Sequence, residues 1–309
     1  MSDYPTTLIE FQTCFPDNES CEAYLIAQRW SDGFSCPKCG HDEAYEFTRP
    51  ERIFECRKCH HQASVKSGTL MHGSKLPLTI WFWAAWLMAT HSNGISAKQL
   101  QRQLGLGSYK SAWLLCAKLR RAMVDPHRNP LNGLVEVDES SIPHRTRDDP
   151  PDGGQGRSGE GKLLFAGAVE VDDEGRPGRI RLSKIDDHSA ESLHDFIKRN
   201  IAAGSTAKTD GWSAYPGAPD VVHDPHVVGP MAAHVVLPWV HRVFSNLKTL
   251  ALGVYHGLRE DHFQSYLDEF TFRFNRRRNR PSAFRSLLQI ATRIKPITYN
   301  MLMASETEG

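Results

Sequence analysis

The sequence predicts a multidomain α+β protein, and three observations lead to this prediction. Two Cys-x-x-Cys pairs lie near the start of the chain, a helical pattern begins at Pro77, and the pattern changes to strands after Pro130. The chain has 309 residues, of which 40% are hydrophobic and 24% charged, so it is long enough for two or three hydrophobic cores. We therefore expect three parts, at about residues 1–75, 76–130 and 131–300.

The first part contains a helical pattern within residues 1–30 and then the two cysteine pairs. Sixteen residues separate the pairs, and the four cysteines are Cys36, Cys39, Cys56 and Cys59. A gap of two residues lets both thiolates of a pair point into one tetrahedral site, and a hairpin between the pairs brings them together. Disulfides are the poorer explanation in a cytoplasmic protein. The spacing predicts a zinc ribbon with one structural Zn²⁺, and we interpret His60 and His61 as surface residues.

The second part has the pattern of three helices. The first begins near Pro77, Ser96 caps the second, and a glycine turn precedes a third helix at about 108–123. Helix, short turn and basic helix is the order of a helix-turn-helix segment, in which Lys110 and Lys118 are the candidate DNA contacts. A plain three-helix bundle has the same pattern, so that alternative stays open.

The formal net charge of +1 conceals three blocks of different sign. Residues 98–130 hold seven Lys and Arg against one acid, residues 134–240 hold eleven against eighteen, and residues 241–309 hold eleven against six. Basic flanks around an acidic centre suit a protein that contacts phosphates at its ends and holds a cationic metal in the middle. Charge scattered over solvated faces is the alternative.

The third part begins with strands. The predicted elements are strands at 134–140, 162–172 and 179–185, a helix at 190–202, a strand at 206–210 and helices at about 238–256 and 261–277. Pro, Gly and polar residues at 148–161 predict a loop. Strand, strand, strand, helix, strand, helix is the order of an RNase H-like α/β domain, which is the fold we expect here.

Two acids stand out in this third part. Asp138 lies in an otherwise apolar strand, where an unpaired carboxylate would cost several kcal/mol. Asp210 ends another short strand, and the first and fourth strands of an RNase H-like sheet are neighbours. The two carboxylates could therefore share Mg²⁺ and support phosphodiester cleavage. Each acid taken alone fits an ordinary turn or strand end equally well.

Several longer motifs carry a family resemblance. They are Tyr24-Leu25 to Arg29-Trp30, Asp32-Gly33-Phe34, both cysteine pairs, Ser67-Gly68-Thr69, Pro77-Leu78 with Trp81, Val135-Glu136-Val137-Asp138-Glu139, Thr209-Asp210-Gly211-Trp212, Tyr266-Leu267-Asp268-Glu269-Phe270 and Arg273-Phe274-Asn275-Arg276-Arg277. Through them nearly the whole chain resembles the zinc-ribbon insertion-sequence transposases of the ISXO type, a branch of the DDE superfamily. The resemblance implies Mg²⁺-dependent cleavage at terminal inverted repeats, with Mn²⁺ as a possible substitute, and strand transfer into target DNA.

The chain departs from the plain DDE pattern at the third acid. Relatives carry a Glu where this sequence has His241, and Lys248 follows seven residues later, so both can face one site. Imidazole can complete a metal shell, and the ammonium can contact DNA. We predict His241 as the third active-site residue and Asn246 as the runner-up. The alternative is that His241 lies on the helix surface and the enzyme is inactive.

A cluster of arginines lies at the end of the predicted last helix. Arg276, Arg277 and Arg278 are candidate phosphate contacts, because guanidinium groups bind phosphate bidentately. Solvated charge, or an ion pair within the fold to Asp268 or Glu269, is the alternative.

The function predicted from the sequence is that of a DNA transposase. Its partners would be double-stranded DNA and further copies of itself, and its location the cytoplasm, on the nucleoid when bound to DNA. The longest apolar run, Thr79–Ala89, is shorter than the roughly 20 residues of a membrane span. The rival functions are an RNase H-like nuclease or resolvase and a catalytically inactive DNA-binding descendant of a transposase.

Overall fold

The computed structural model describes residues 4–48, 51–144, 161–227 and 233–304. The helices are α1 (Leu8–Cys14), α2 (Asn18–Arg29), α3 (Leu78–Thr90), α4 (Ala97–Gln103), α5 (Tyr109–Arg121), α6 (Ala190–Asn200), α7 (Ala233–Val236), α8 (Pro238–Gly253), α9 (Phe263–Asn275), α10 (Arg280–Arg293) and α11 (Tyr299–Ala304). The strands are β1 (Ala44–Thr48), β2 (Arg52–Cys56), β3 (Gln62–Ser64), β4 (Leu134–Pro143), β5 (Lys162–Val171), β6 (Pro177–Lys184), β7 (Thr206–Thr209) and β8 (Val222–Pro225). The chain divides into two compact units. The first unit consists of residues 1–125 and 278–309, and the second of residues 126–277.

The first unit contains a small antiparallel sheet of β1, β2 and β3. The rings of Trp30, Phe34 and Phe54 pack together beside it, with centroids 4.7–5.6 Å apart. Arg29 ends α2 and donates hydrogen bonds to the carbonyls of Ser64 and Val65, both at 2.9 Å. These contacts join α2 to the small sheet, whose own apolar core is limited to a few rings.

Aromatic side chains form the larger core of the first unit. Phe11, Phe15, Phe82, Trp86 and Phe284 lie within 6 Å of one another in pairs, mostly edge to face. The last of these belongs to α10, which packs against α2 and α3. The third predicted part ends near residue 300, whereas the contacts place residues 278–309 with the first unit. The physical reason for this difference is that the buried apolar face of α10, which includes Phe284, packs against α2 and α3.

Helices α4 and α5 have side-chain caps at their N-termini. Ser96 Oγ accepts the backbone N–H of Gln99 at 3.2 Å, and Ser108 Oγ accepts that of Ser111 at 3.1 Å. Gly105, in the turn between them, has a φ of +61°, which favours glycine. The three predicted helices of this segment are therefore present, with ends within two residues of the predicted ones.

The second unit is built on a five-stranded sheet in the order β6-β5-β4-β7-β8. Strand β5 is antiparallel to β4 and β6, and β4, β7 and β8 run parallel. The first and fourth strands of the domain, β4 and β7, are neighbours, so the predicted RNase H-like topology is confirmed. Strand β8 was not predicted, because it has four residues and no alternating apolar pattern.

Helices cover both faces of this sheet. Val135 and Val137 of β4 lie in the apolar core beneath α6, together with Phe196. On the other face Phe165 and Phe244 belong to the core beneath α8 and α9. Helix α8 approaches β5 so closely that a Cβ atom on Gly167 would lie 2.4 Å from the Phe244 ring. Glycine at this position therefore sets the distance of α8 from the sheet.

The loop predicted at 148–161 lies, except for Gly161, outside the described residues. Within the described part of the chain, every helix is too short or too polar to cross a membrane.

Candidate active site and metal centre

The four predicted zinc ligands come together in the first unit. The Sγ atoms of Cys36 and Cys59 are 3.6 Å apart, as are those of Cys39 and Cys56, and all four lie within 4.8 Å of one another. Tetrahedral zinc with Zn–S bonds of about 2.3 Å requires sulfur atoms about 3.8 Å apart. The donor set and its spacing therefore fit zinc.

The two cysteine pairs lie on two turns with the same hydrogen bonds. Cys36 N–H donates to the His41 carbonyl at 2.8 Å, and Cys56 N–H donates to the His61 carbonyl at 3.0 Å. His60 has a φ of +54°, and its imidazole lies 3.4 Å from Glu55 on the surface. The His60 ring therefore contacts Glu55 and not the sulfur atoms, which agrees with a site of four cysteines.

Asp138 lies in the middle of β4 and is only 6% exposed. Because side chains alternate along a strand, Val135 and Val137 face α6, whereas Glu136 and Asp138 face α8. Asp138 Oδ2 is 3.4 Å from His241 Nε2 on α8. The structure therefore brings together two of the residues predicted for the site.

Asp210 follows directly after β7. Strands β4 and β7 pair in parallel with Leu134 opposite Thr206 and Glu136 opposite Lys208. Asp210 lies two residues beyond Lys208, the last paired position of β7, and Asp138 lies two residues beyond its partner Glu136 on β4. Asp210 Oδ1 also accepts the Trp212 N–H at 3.0 Å, across a turn in which Gly211 has a φ of +80°.

His241 and Lys248 face the same cavity. Its volume is about 340 Å³, and its lining residues are Ser140, His241, Phe244, Ser245, Lys248, Thr249 and Leu252. Burial lowers the pKa of Lys248, and the nearby Asp138 carboxylate opposes this effect. Asn246, the runner-up, is exposed on α8 and does not line this cavity. The geometry thus favours His241 over Asn246 as the third residue.

Glu136 connects β4 to the start of α8. Its Oε2 accepts the backbone N–H groups of Trp239 and Val240, both at 2.9 Å. Burial raises the pKa of Glu136, and these two hydrogen bonds act in the opposite direction. Leu237 provides no side-chain cap for α8, so Glu136 takes the place of an N-cap. This role of Glu136 was not predicted from the sequence, although an acid two positions before Asp138 in an apolar strand is a signal for it.

A second contact beside the acids was also missed. The buried Tyr215 hydroxyl donates to Glu139 Oε2 at 2.5 Å. Burial raises the pKa of Tyr215 well above its usual value, and the charges of Glu139, Asp138 and Asp210 act in the same direction. Tyr215 is therefore close enough to three carboxylates to be affected by their charge, and it donates a hydrogen bond to that of Glu139.

Comparison with known protein families decides the identity of this arrangement. The ISXO2-like transposase domain of the IS1595 type matches residues 130–275, and the transposase zinc-ribbon domain matches residues 16–62, which together is more than half of the chain. The chain belongs to the zinc-ribbon transposases of the IS1595 type. Curated proteins show no match to it. The first family covers Asp138, Asp210 and His241, and the second covers all four cysteines.

The predicted DNA contacts of this transposase occupy different environments. On α5, Lys110 is exposed, and its ammonium lies 4.5 Å from the centre of the Tyr299 ring. Lys118 lines a cavity of about 260 Å³ beside Trp81, where burial lowers its pKa. Contact of either lysine with a base edge stays a prediction.

Two of the clustered arginines contact their own domain. Arg277 donates to the carbonyls of Pro177, Gly178 and Phe274 at 2.5, 3.1 and 3.0 Å. Arg276 lies over the ring of Phe272, 3.9 Å from its centre. Asn275 accepts the Ile180 N–H at 2.8 Å and donates to the Ile180 carbonyl. These contacts fasten the end of α9 to the edge strand β6.

The structure thus gives Arg277 a role within the fold, whereas Arg278 is exposed. One arginine at the end of α9 does form an ion pair within the fold. It is Arg273, whose guanidinium lies 3.3 Å from the carboxylate of the buried Glu269. A phosphate contact by Arg276, Arg277 or Arg278 stays a prediction.

We expect Arg277→Ala to destabilise the transposase by about 2–3 kcal/mol, because hydrogen bonds from a charged donor contribute about 1.5–3 kcal/mol. Arg278→Ala is the matched control, and it should change stability by less than about 0.5 kcal/mol while weakening DNA binding. Thermal unfolding and duplex titration measure the two effects. Equal stability of both variants, with an equal decrease of DNA affinity, would contradict this assignment.

Proposed function

We propose that this chain is an active DNA transposase, which binds the terminal inverted repeats of an insertion sequence, cleaves the DNA there and joins the ends to target DNA. The observation that carries the proposal is the placement of buried Asp138 beside His241, next to a cavity that Lys248 also lines. A buried carboxylate beside an imidazole that lines a cavity is costly for folding alone, which favours a functional reason for it.

The donor set at this site suits a divalent metal ion. Asp138, Asp210 and His241 would hold Mg²⁺ or Mn²⁺, through carboxylate oxygens and one imidazole nitrogen. A metal ion in such a site activates water or a 3′-hydroxyl and stabilises the leaving oxygen of a phosphodiester. Zn²⁺ would belong only to the ribbon, where four cysteine ligands leave no open position for a substrate.

The surrounding residues would orient the site. Glu136 fixes the first turn of α8, so His241 is held opposite Asp138. Lys248 lies two turns further along α8, where its ammonium can contact a phosphate oxygen of the bound strand. Tyr215 keeps Glu139 hydrogen-bonded next to Asp138. With the metal bound, the carboxylates and Lys248 would place one phosphodiester between them.

The test is a cleavage and strand-transfer assay on DNA that carries the inverted repeats bracketing the coding sequence. Wild-type protein should cleave and join DNA with Mg²⁺ or Mn²⁺ and do neither without them. Cleavage without joining would favour the nuclease or resolvase, and binding alone would favour the inactive descendant. The transposase would act as an oligomer that holds two DNA ends, which cross-linking on DNA can test.

Substitution of His241 tests the third position. His241→Ala should lose most activity, and His241→Glu should keep or raise it, since a carboxylate restores the usual ligand of the family at the same place. Asn246→Ala is the matched control on an exposed position of the same helix and should have little effect. Loss of strand transfer in Asn246→Ala, with His241→Ala still active, would move the third residue five positions along α8.

A further inference from the structure

A second cavity in residues 126–277 contains an excess of positive charge. Its volume is about 380 Å³, and its lining residues are Arg128, Pro130, Arg181, Lys198, Arg199, Ile201, Ala202, Ala203 and Asp220. Arg199 pairs with Asp195 at 2.9 Å. In the described part of the chain, Arg128, Arg181 and Lys198 have no carboxylate within 4 Å. The cavity therefore holds three cations without an ion pair, and Asp220 is the one acid among its lining residues.

Arg181 is the unusual member of this group, because it is 5% exposed. It lies on β6 opposite Ala168, and so faces the α6 side of the sheet. Its guanidinium donates to the carbonyls of Ile180 and Asn129, at 3.0 and 2.6 Å. The neighbouring Glu170 is bound by Arg179 through two hydrogen bonds. A buried cation with only carbonyl partners is costly unless an anion balances it.

The positive charges of several side chains add up at this cavity. Burial lowers the pKa of Arg181 to about 10, the nearby Arg128 and Arg179 act in the same direction, and the charge of Glu170 opposes them. Lys198 and Arg199 lie in the last turn of α6, where the helix dipole favours cations. The helix dipole does not explain the presence of a positive charge at Arg128, which precedes β4, or at Arg181, which lies in the sheet. These two arginines converge on the cavity from separate segments of the chain.

We propose that this cavity binds a phosphate group of the DNA backbone. The forked donors of arginine match phosphate oxygens, and exposed Arg128 and Lys198 leave the cavity accessible to a large ligand. The site deepens the proposed function, because it presumes that the chain handles DNA. The cavity lies on the α6 face of the sheet, whereas Asp138 and His241 lie on the α8 face. The phosphate bound here is therefore not the one that is cleaved.

The experiment compares full-length proteins in the absence of Mg²⁺ and Mn²⁺. The test variant is Arg128→Gln with Lys198→Gln, both exposed positions, and Arg181→Gln is a second variant. Arg176→Gln is the matched control, since Arg176 is paired with Asp172 outside this cavity. Affinity for a short random-sequence duplex is measured over a range of KCl concentrations. Inorganic phosphate is titrated separately, with thermal unfolding as the readout and chloride at equal ionic strength as the reference.

We expect the double variant to lower the slope of log affinity against log salt by about one for each phosphate group that the protein no longer neutralises. The control should keep the wild-type slope, and Arg181→Gln should follow the double variant. Phosphate should raise the unfolding temperature of the wild type more than that of the double variant. An unchanged slope in the double variant would overturn the proposal, and phosphate stabilisation without a slope change would assign the cavity to free phosphate instead. Since no cleavage is measured, an inactive enzyme would leave this result unaffected.

Discussion

Cys56→Ser is expected to remove zinc from the transposase and to unfold residues 34–70. Cys56 is fully buried, and its Sγ lies 3.6 Å from that of Cys39 within the four-sulfur cluster. Binding of structural zinc contributes about 10–16 kcal/mol in small zinc domains, and this free energy is also folding free energy. The small sheet has few buried apolar side chains of its own, so its folding depends on the metal.

The matched control for this prediction is Cys14→Ser, which changes an exposed cysteine outside the ribbon. Metal analysis should give one zinc per chain for the wild type and the control, and none for Cys56→Ser. Hydrogen exchange should become fast in residues 34–70 of Cys56→Ser and stay slow in residues 161–200. A fully folded wild type without zinc would refute the prediction.

The zinc cluster was predictable because its information is local. Cysteine spacing alone predicted that these four residues come together, and their sulfur atoms do lie within 4.8 Å of one another in the structure. The need of Asp138 for a partner was predictable for a similar reason, since a carboxylate in an apolar strand is costly whatever surrounds it. The topology then supplied the neighbourhood of Asp210, because β4 and β7 pair in parallel up to Glu136 and Lys208, two residues before each of the two acids. The family matches confirm the type of transposase that these motifs indicated.

The features that were not predicted depend on contacts between distant segments. Glu136 caps a helix that begins more than a hundred residues later, and no spacing rule connects the two. Arg277 has the sequence context of a phosphate contact, yet it donates to carbonyls of β6. Helix α10 was not predicted from the sequence, and its Phe284 packs against the ring of Phe82 on α3. In each case the partner is fixed by the fold rather than by neighbours in sequence.

Asp138→Asn and Asp210→Asn are each expected to lower DNA cleavage and joining by more than about a hundredfold, the decrease found when one preorganised charge-stabilising group is removed from an active site. Asparagine keeps the size of aspartate but removes the charge, so affinity for a divalent metal falls and the leaving oxygen loses stabilisation. The fold should persist, because asparagine occupies the same volume as aspartate between β4, β5 and α8.

DNA binding separates this effect from misfolding. The four-cysteine ribbon and α5 belong to the other compact unit, so both variants should bind the terminal repeats as tightly as the wild type. Asp173→Asn, an exposed acid in the β5–β6 turn, is the matched control and should cleave and join DNA normally. Each variant is assayed with Mg²⁺ and with Mn²⁺. Mn²⁺ binds nitrogen and oxygen donors more tightly than Mg²⁺ does, so it is the more sensitive test for remaining activity. Full activity of Asp138→Asn with either metal would show that this carboxylate is not a catalytic residue, and the buried contact with His241 would then need a purely structural reason.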